Sequence, residues 1–193
     1  KIEGVLSGTL SYIFNSFSLG NKKFSDIVHE AKKKGFTEPD PRDDLNGKDV
    51  ARKILILARE IGLALEPEQV QVEPILPAKC FSANSVDDFF FELEKSDNDF
   101  EKRKKQITKQ DKVLRYIATL ENGKAQVKLQ EVGQNHPFYH LSGSDNIISI
   151  STKRYNNTPL VIKGPGAGAE VTAGGMLADI LSIFNHFSYA KLK

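Results

Sequence analysis

Five carboxylates and a lysine stand close together in the chain: Glu38, Asp40, Asp43, Asp44, Asp49 and Lys53. Asp49 and Lys53 are four residues apart, so on a helix their side chains share one face and can pair. Lys53 also adjoins Ile54 in the most apolar part of KDVARKILILAREIG, where an ammonium needs a nearby carboxylate. A lysine poised in this way can take or give a proton, with Asp49 holding it in place. Glu38 and Asp44, just upstream, can face the same cavity, and Asp43 and Asp44 are also placed to cap the helix that follows. Paired carboxylates serve glycosidases and divalent metal sites as well, but neither the histidine and cysteine spacing of zinc nor the regular oxygen ligands of a calcium loop is present. No metal site is expected. His29, His136, His140 and His186 form no spacing motif and read as structural or exposed.

A second polar feature is GPGAGAEVTAGG, with Gly164, Gly166 and Gly168. It resembles a phosphate cradle only superficially, because a dinucleotide fingerprint needs a strand, a tight turn and a helix within a βαβ unit. Its glycines could still let backbone approach a ligand closely, and the amides at the start of the last helix could meet an anion or an amide oxygen.

The elements that must position these groups follow from pattern. Ser7 or Thr9 caps a helix running to about Phe17. FSDIVHEAKKKG carries every helix signal, with Ser25 as N-cap and Gly35 closing the end. FTEPDPRDDLNG reads as a stiff, extended loop. A third helix runs from near Asn46 to Gly62, burying Val50, Ile54, Leu57, Ala58 and Ile61. VQVEPILP alternates like a short strand, with Pro74 arguing for an edge. VDDFFFEL reads as a short helix and SDNDFEKRKKQITKQD as a solvated helix or flap. Asn122-Gly123, between two alternating runs, is a hairpin turn. Residues 143–164 hold two further strands, and a helix starts near Val171 whose apolar Ala178, Leu181 and Phe184 need a surface outside the first 160 residues. The fold class expected is α+β, with helices on one face of a mixed or antiparallel sheet.

Composition narrows the partners. In 193 residues, 39% hydrophobic and 27% charged, 27 Lys and Arg face 25 Asp and Glu, a net charge of +2. That balance argues against disorder and against a nucleic-acid footprint. Lys102 to Lys105 read as a solvated helix face. Cys80, the single cysteine, rules out an intrachain disulfide. No long apolar run suggests a membrane span, so a cytoplasmic protein is expected. The chain starts at Lys1 and enters an apolar pattern almost at once, which reads as a start in mid-structure.

Three segments then resemble one family. SGTLSYIF, GFTEPDPRDDLNGKDVARK and GPGAGAEVTAGG are similar to the catalytic and dimerisation region of homoserine dehydrogenases, above all the short fungal form. The resemblance runs from the first residues to the last, but covers only the part that follows the amino-terminal nucleotide-binding domain. It implies reversible interconversion of L-homoserine and L-aspartate 4-semialdehyde with NADP or NAD, on the route to threonine, methionine and isoleucine, by a homodimer. Glu38 would receive the substrate ammonium, with Gly8 and Thr9 beside the bound amino acid and Asp44 and Asp49 around it. Asp49 would orient the hydroxyl and Lys53 would act as acid or base. Gly168 would lie against the cofactor. Phe36 stands where related fungal enzymes carry a tyrosine. Residues 1–160 would form the substrate-binding, catalytic and dimerisation domain; residues 161–193 would return to a Rossmann-type domain. Such a piece is expected to be inactive alone. The alternative is a non-catalytic amino-acid-binding or dimerisation module that uses Glu38 and Asp49 for an ammonium group.

Overall fold

Ile2–Val5, too short to show a period in the sequence, forms the strand on which the sheet is organised. In the computed structural model, which describes residues 1–190, β1 (Ile2–Val5) pairs antiparallel with β3 (Lys112–Glu121) on one side and β5 (Asn146–Ile150) on the other. β4 (Lys124–Gly133) continues from β3 through Asn122 and Gly123, whose φ values of 51° and 75° make the left-handed turn that suits a two-residue hairpin. β2 (Gln71–Val72) adds in parallel to β4, and β6 (Leu160–Gly164) pairs antiparallel with β5. The result is a six-stranded mixed sheet in the order β2-β4-β3-β1-β5-β6. The α+β expectation holds, while the strands expected from pattern do not include β1. That strand is legible only through partners more than a hundred residues away.

Helices cover one face. α1 (Gly8–Leu19), α2 (Phe24–Lys33), α4 (Lys48–Glu60), α6 (Val86–Glu94) and α7 (Asp97–Thr108) bury Leu10, Ile13, Phe14, Phe17, Phe24, Ile27, Val50, Ile54, Phe89 and Phe100 against Leu114, Tyr116 and Leu120 of β3. Phe24 stacks on Phe100 with ring centroids 3.9 Å apart, and Phe17 meets both rings edge-on. Such pairs contribute about 0.5–1.5 kcal/mol each beyond burial. The opposite face is covered by a loop, with Phe138 and Leu141 packed on Val5, Val113, Ile117 and Ile147.

Several local expectations are corrected. The second helix starts at Phe24; Ser25 lies inside it, and its N–H and hydroxyl both donate to the buried Asp97 carboxylate of α7, at 2.8 and 2.6 Å. The cap is therefore supplied from the far side of a helix pair. The loop at 36–47 contains a helical turn, α3 (Arg42–Leu45), which Pro41 initiates and Asp40 caps through the Arg42 N–H. In α4 the stripe includes Leu55, whereas Leu57 is half-buried and Ile61 is exposed at the frayed end. VQVEPILP keeps only two strand residues, preceded by a 3₁₀ turn at Pro67–Gln69 and followed by α5 (Ala78–Phe81). The charged stretch is an ordered helix whose Lys104 is buried over the Phe17 ring, so the patch from Lys102 to Lys105 is only partly a solvated face. The last helix, α8 (Ala169–Ala190), begins two residues before Val171 and leaves Leu181 and Phe184 exposed, with Met176, Leu177, Ile180 and Ile183. The final three residues of the segment 161–193 lie outside the described residues.

Candidate active site

The residues singled out by chemistry meet in one cleft. Gly8, Thr9, Glu38, Asp44, Asp49, Lys53 and Gly168 all line a cavity of about 470 Å³ between the start of α1, the 36–47 loop, α4 and the loop after β6. Asp40 and Asp43 are absent from that lining. Asp40 is locked to Arg42, whose guanidinium holds its carboxyl below the usual carboxylate range. None of the four histidines reaches the cleft.

α1 enters the cleft at its first turn because Ser7, in extended conformation, accepts the Leu10 N–H on its hydroxyl and stops the helix there. Gly8 presses against the Ser144 carbonyl, where a Cβ would stand at 3.2 Å. Thr9 Oγ1 lies 2.5 Å from the Phe36 carbonyl and 2.9 Å from Asp44 Oδ1. Asp44 Oδ2 accepts the Glu38 N–H at 2.9 Å. Asp44 thus fastens α1 to the loop and orients Glu38. Burial pushes its carboxyl up, against the pull of those two donors, and the charges of Glu38 and Asp43 add to the rise. The Glu38 carboxylate itself makes no hydrogen bond or ion pair with a described residue and stays exposed. Phe36 stacks on Tyr12 at 4.5 Å between centroids, and the Tyr12 hydroxyl donates to Glu30. Lys22 and Lys34 hold the Glu30 carboxyl down to about 2.

α4 delivers the pair. Gly47, with φ 73°, precedes its first turn, and a Cβ there would meet the Tyr116 hydroxyl at 2.3 Å, so only glycine seats the helix this close to β3. One turn later Asp49 Oδ2 lies 2.7 Å from Lys53 Nζ, which also donates to the Leu6 carbonyl at 2.9 Å. The Lys53 side chain is 42% exposed, so it stands at the cleft and not in the apolar interior that Ile54 suggested. An amine held by one carboxylate and one carbonyl has two directions fixed and a third left for a ligand.

Ser7, Ser144 and Asn146 also line the cleft and were not among the residues picked from the sequence. Asn146 begins β5 opposite Gly164. Only its neighbourhood could have marked it: it precedes the alternating NIISI run and pairs with the first glycine of the glycine-rich loop.

A cleft of this size, lined by the carboxylates Glu38 and Asp44 and by a lysine held by Asp49, suits a small zwitterion and a proton transfer. Known proteins give the class a name. The sequence profile described as homoserine dehydrogenase matches residues 1–181, and the chain belongs to that family. It is 49% identical to the homoserine dehydrogenase of Saccharomyces cerevisiae over 189 residues, 95% of this chain and 52% of the yeast protein. It is 50% identical to bifunctional aspartokinase/homoserine dehydrogenase 1, chloroplastic, of Zea mays, covering 96% of this chain and 20% of the maize protein. A crystal structure of a Candida auris protein described as of unknown function superposes with a TM-score of 0.88 at 48% identity, over 94% of this chain and 52% of that one. The chain therefore spans about half the length of the yeast relative and a fifth of the maize one.

Proposed function

We propose that this chain is the substrate and proton-transfer part of an oxidoreductase that interconverts L-homoserine and L-aspartate 4-semialdehyde with NAD(P). The observation that carries the reading is Lys53, held by Asp49 and Leu6 at the wall of a cleft that also holds an unpaired glutamate. As an ammonium, Lys53 donates two protons to the protein and keeps the third for a carbonyl oxygen in the cleft. As an amine it makes the same two donations, and its lone pair takes the third direction. The same atom can therefore receive the hydroxyl proton of homoserine in one direction and return it to the aldehyde oxygen in the other. Asp49 keeps the amine in register for both. Glu38, with Asp44 behind it, receives the substrate ammonium, while Gly8 and Thr9 lie beside the amino acid.

The groups around Gly168 fit a flat ring: Gly166 and Gly168 carry no side chain into the cleft, and Gly168 has φ 129°, a conformation that glycine adopts readily. When bound, the nicotinamide supplies the hydride acceptor, so that homoserine and oxidised cofactor give semialdehyde, reduced cofactor and a proton. The exposed apolar side chains of α8, on a helix that the rest of this chain leaves uncovered, support its packing on a nucleotide-binding domain. A homodimer belongs to the same reading, from the family likeness.

The test uses the complete protein that contains this chain. It should reduce NAD or NADP when L-homoserine is supplied, and no homoserine-dependent reduction would overturn the reading. Glu38→Ala should raise the KM for homoserine by about 10- to 100-fold, the range of one charged hydrogen bond, while changing kcat less. An unchanged KM would remove Glu38 from the ammonium site and favour a different orientation of the substrate.

A further inference from the structure

The carboxamide of Asn146 is a polar group in the cleft that the proposed reaction leaves without a task. It has no hydrogen-bond partner among the described residues, and its Oδ1 is shut off from solvent. Against the carboxamide lies the glycine-rich loop. A Cβ on Gly166 would stand 2.0 Å from Asn146 Nδ2 and 2.7 Å from Cγ, so the loop backbone lies directly on the carboxamide. Which end of the amide is oxygen is an assignment, but either way one buried polar atom is unpaired. Buried polar atoms in native proteins nearly always have partners, and an orphan costs about 1–3 kcal/mol.

The matching donors lie in the same loop. Among the described residues, the N–H groups of Gly166, Ala167 and Gly168 reach no acceptor; the first backbone bond beyond them is that of the Thr172 N–H to the Gly168 carbonyl. The loop thus carries three N–H groups without a protein acceptor, and one of its residues, Gly166, lies against the carboxamide whose oxygen has no donor. The two parts also differ in how firmly they are held. Asn146 is fixed by the β5–β6 ladder opposite Gly164, and its neighbour Asp145 accepts the Ser11 hydroxyl at 2.7 Å and pairs with Lys163 at 3.6 Å. The loop has glycine at two of its four positions, Pro165 to Gly168, and no side chain that anchors it.

We infer that Asn146 is a positioning residue for this loop: when ligand fills the cleft, the Pro165–Gly168 backbone shifts across the carboxamide and a loop N–H donates to Oδ1, latching the loop over the ligand. The inference rests on the proposed dehydrogenase reading, because the loop is the wall that faces the cofactor. The role assigned to Asn146 is to position the loop, not to carry the chemistry. The latch draws its energy from relief of a buried unpaired acceptor, which makes the ligand-free arrangement the poorer one for Asn146.

The experiment is hydrogen exchange of the 166–168 amides in the complete enzyme, with and without L-homoserine plus oxidised NADP, alongside melting of the ligand-free protein. Wild type should show slower exchange on adding the ligands. Asn146→Ala should lose about three- to tenfold of that protection, the range of one neutral hydrogen bond, and its KM values should rise by a similar factor. Ligand-free Asn146→Ala should melt at the same temperature or higher, since the substitution removes an unpaired group. Asn146→Asp keeps the acceptor and should restore the protection. Equal protection in wild type and Asn146→Ala, or no protection in wild type, would overturn the latch. So would a fall of several degrees in the ligand-free melting temperature of Asn146→Ala, which marks a purely structural role. A wild type that turns over no homoserine would overturn the parent reading and this inference with it, an outcome distinct from an active enzyme whose loop ignores Asn146.

Discussion

Arg115 and Lys53 are both held by oxygen atoms, and they are held to opposite ends. Arg115, on the face of β3 away from the helices, is 0% exposed. Its guanidinium donates to the carbonyls of Leu114 at 2.8 Å, Phe138 at 3.0 Å, Tyr139 at 2.9 Å and Leu141 at 3.2 Å, and no carboxylate among the described residues pairs with it. Burial pulls its pKa down to about 10, which still leaves it charged at neutral pH. Lys53 has one carboxylate, one carbonyl and an open side. A cation whose donors are spent on backbone can only fix structure. One with a donor position left over, and access to a cleft, can exchange a proton with a ligand.

The structural role of Arg115 still reaches the site. Three of its four carbonyls, those of Phe138, Tyr139 and Leu141, belong to the turn that carries Phe138 onto the outer face of the sheet, and Arg115 locks that turn. The chain leaving that turn is then tied to α1, through Asn15 to the Gly143 carbonyl and Ser11 to the Asp145 carbonyl, before it delivers Ser144 and Asn146 to the cleft. Arg115 sets where the wall stands, and Lys53 stands in front of it.

The same substitution at both positions should separate the roles. Lys53→Met in the complete enzyme should lower kcat by about 100- to 10,000-fold, the usual range for a general acid or base. Its melting temperature should move by only about 1–2 °C, because an exposed i,i+4 pair contributes a few tenths of a kcal/mol. Near-normal turnover would remove Lys53 from the chemistry. Arg115→Met should do the reverse. The Leu114 and Phe138 carbonyls keep the Ser18 hydroxyl and the Leu141 N–H as donors, but leaving those of Tyr139 and Leu141 without one should cost about 3–5 kcal/mol, or about 6–20 °C in melting temperature, with turnover per folded molecule within about threefold of wild type at low temperature. Equal melting temperatures would mean that the 138–141 turn finds other donors and that Arg115 is dispensable.

That contrast also explains what could be read in advance. Glu38, Asp44, Asp49 and Lys53 lie within sixteen consecutive residues, where helical spacing alone brings two of them together, so the local pattern was enough to assemble most of the site. The hairpin at Asn122-Gly123 was legible for the same reason: its geometry is set by two residues. Arg115 and Asn146 were not, because each is defined by a segment distant in sequence, the 138–141 carbonyls and the 165–168 loop. A trace of Arg115 exists in Val113, Ile117 and Val132, which put apolar residues on the face away from the helices and imply that this face is covered too. β1 and the Ser25–Asp97 cap fall in the same category, since long-range pairing decides them. Lys53 was misjudged in one respect, its burial. Ile54 next to it points into the core while Lys53, 100° around the helix, points to the cleft.

Asp44 provides the smallest and most discriminating test, because it lies between the two modes: fastened by the protein, yet lining the cleft. Thr9 has one hydroxyl proton and two acceptors within reach, the Phe36 carbonyl at 2.5 Å and Asp44 Oδ1 at 2.9 Å. Both contacts are satisfied at once only when Asp44 carries a proton and donates it to Thr9. Burial raises the Asp44 carboxyl above its ordinary value of 3.8, so the folded protein binds that proton more tightly than the unfolded chain. By linkage, this stabilisation is full below 3.8 and lost as pH rises through the folded value. Asn in its place can accept the Glu38 N–H on Oδ1 and donate from Nδ2 to Thr9, freeing the threonine proton for Phe36. Asp44→Asn should therefore raise the ligand-free melting temperature by about 1–3 °C at neutral pH, and the gain should shrink as wild type is acidified. A melting temperature that falls at neutral pH, or a difference that does not narrow with acid, would show that Asp44 is held as a carboxylate. Thr9 would then donate to Asp44 and leave the Phe36 carbonyl unpaired.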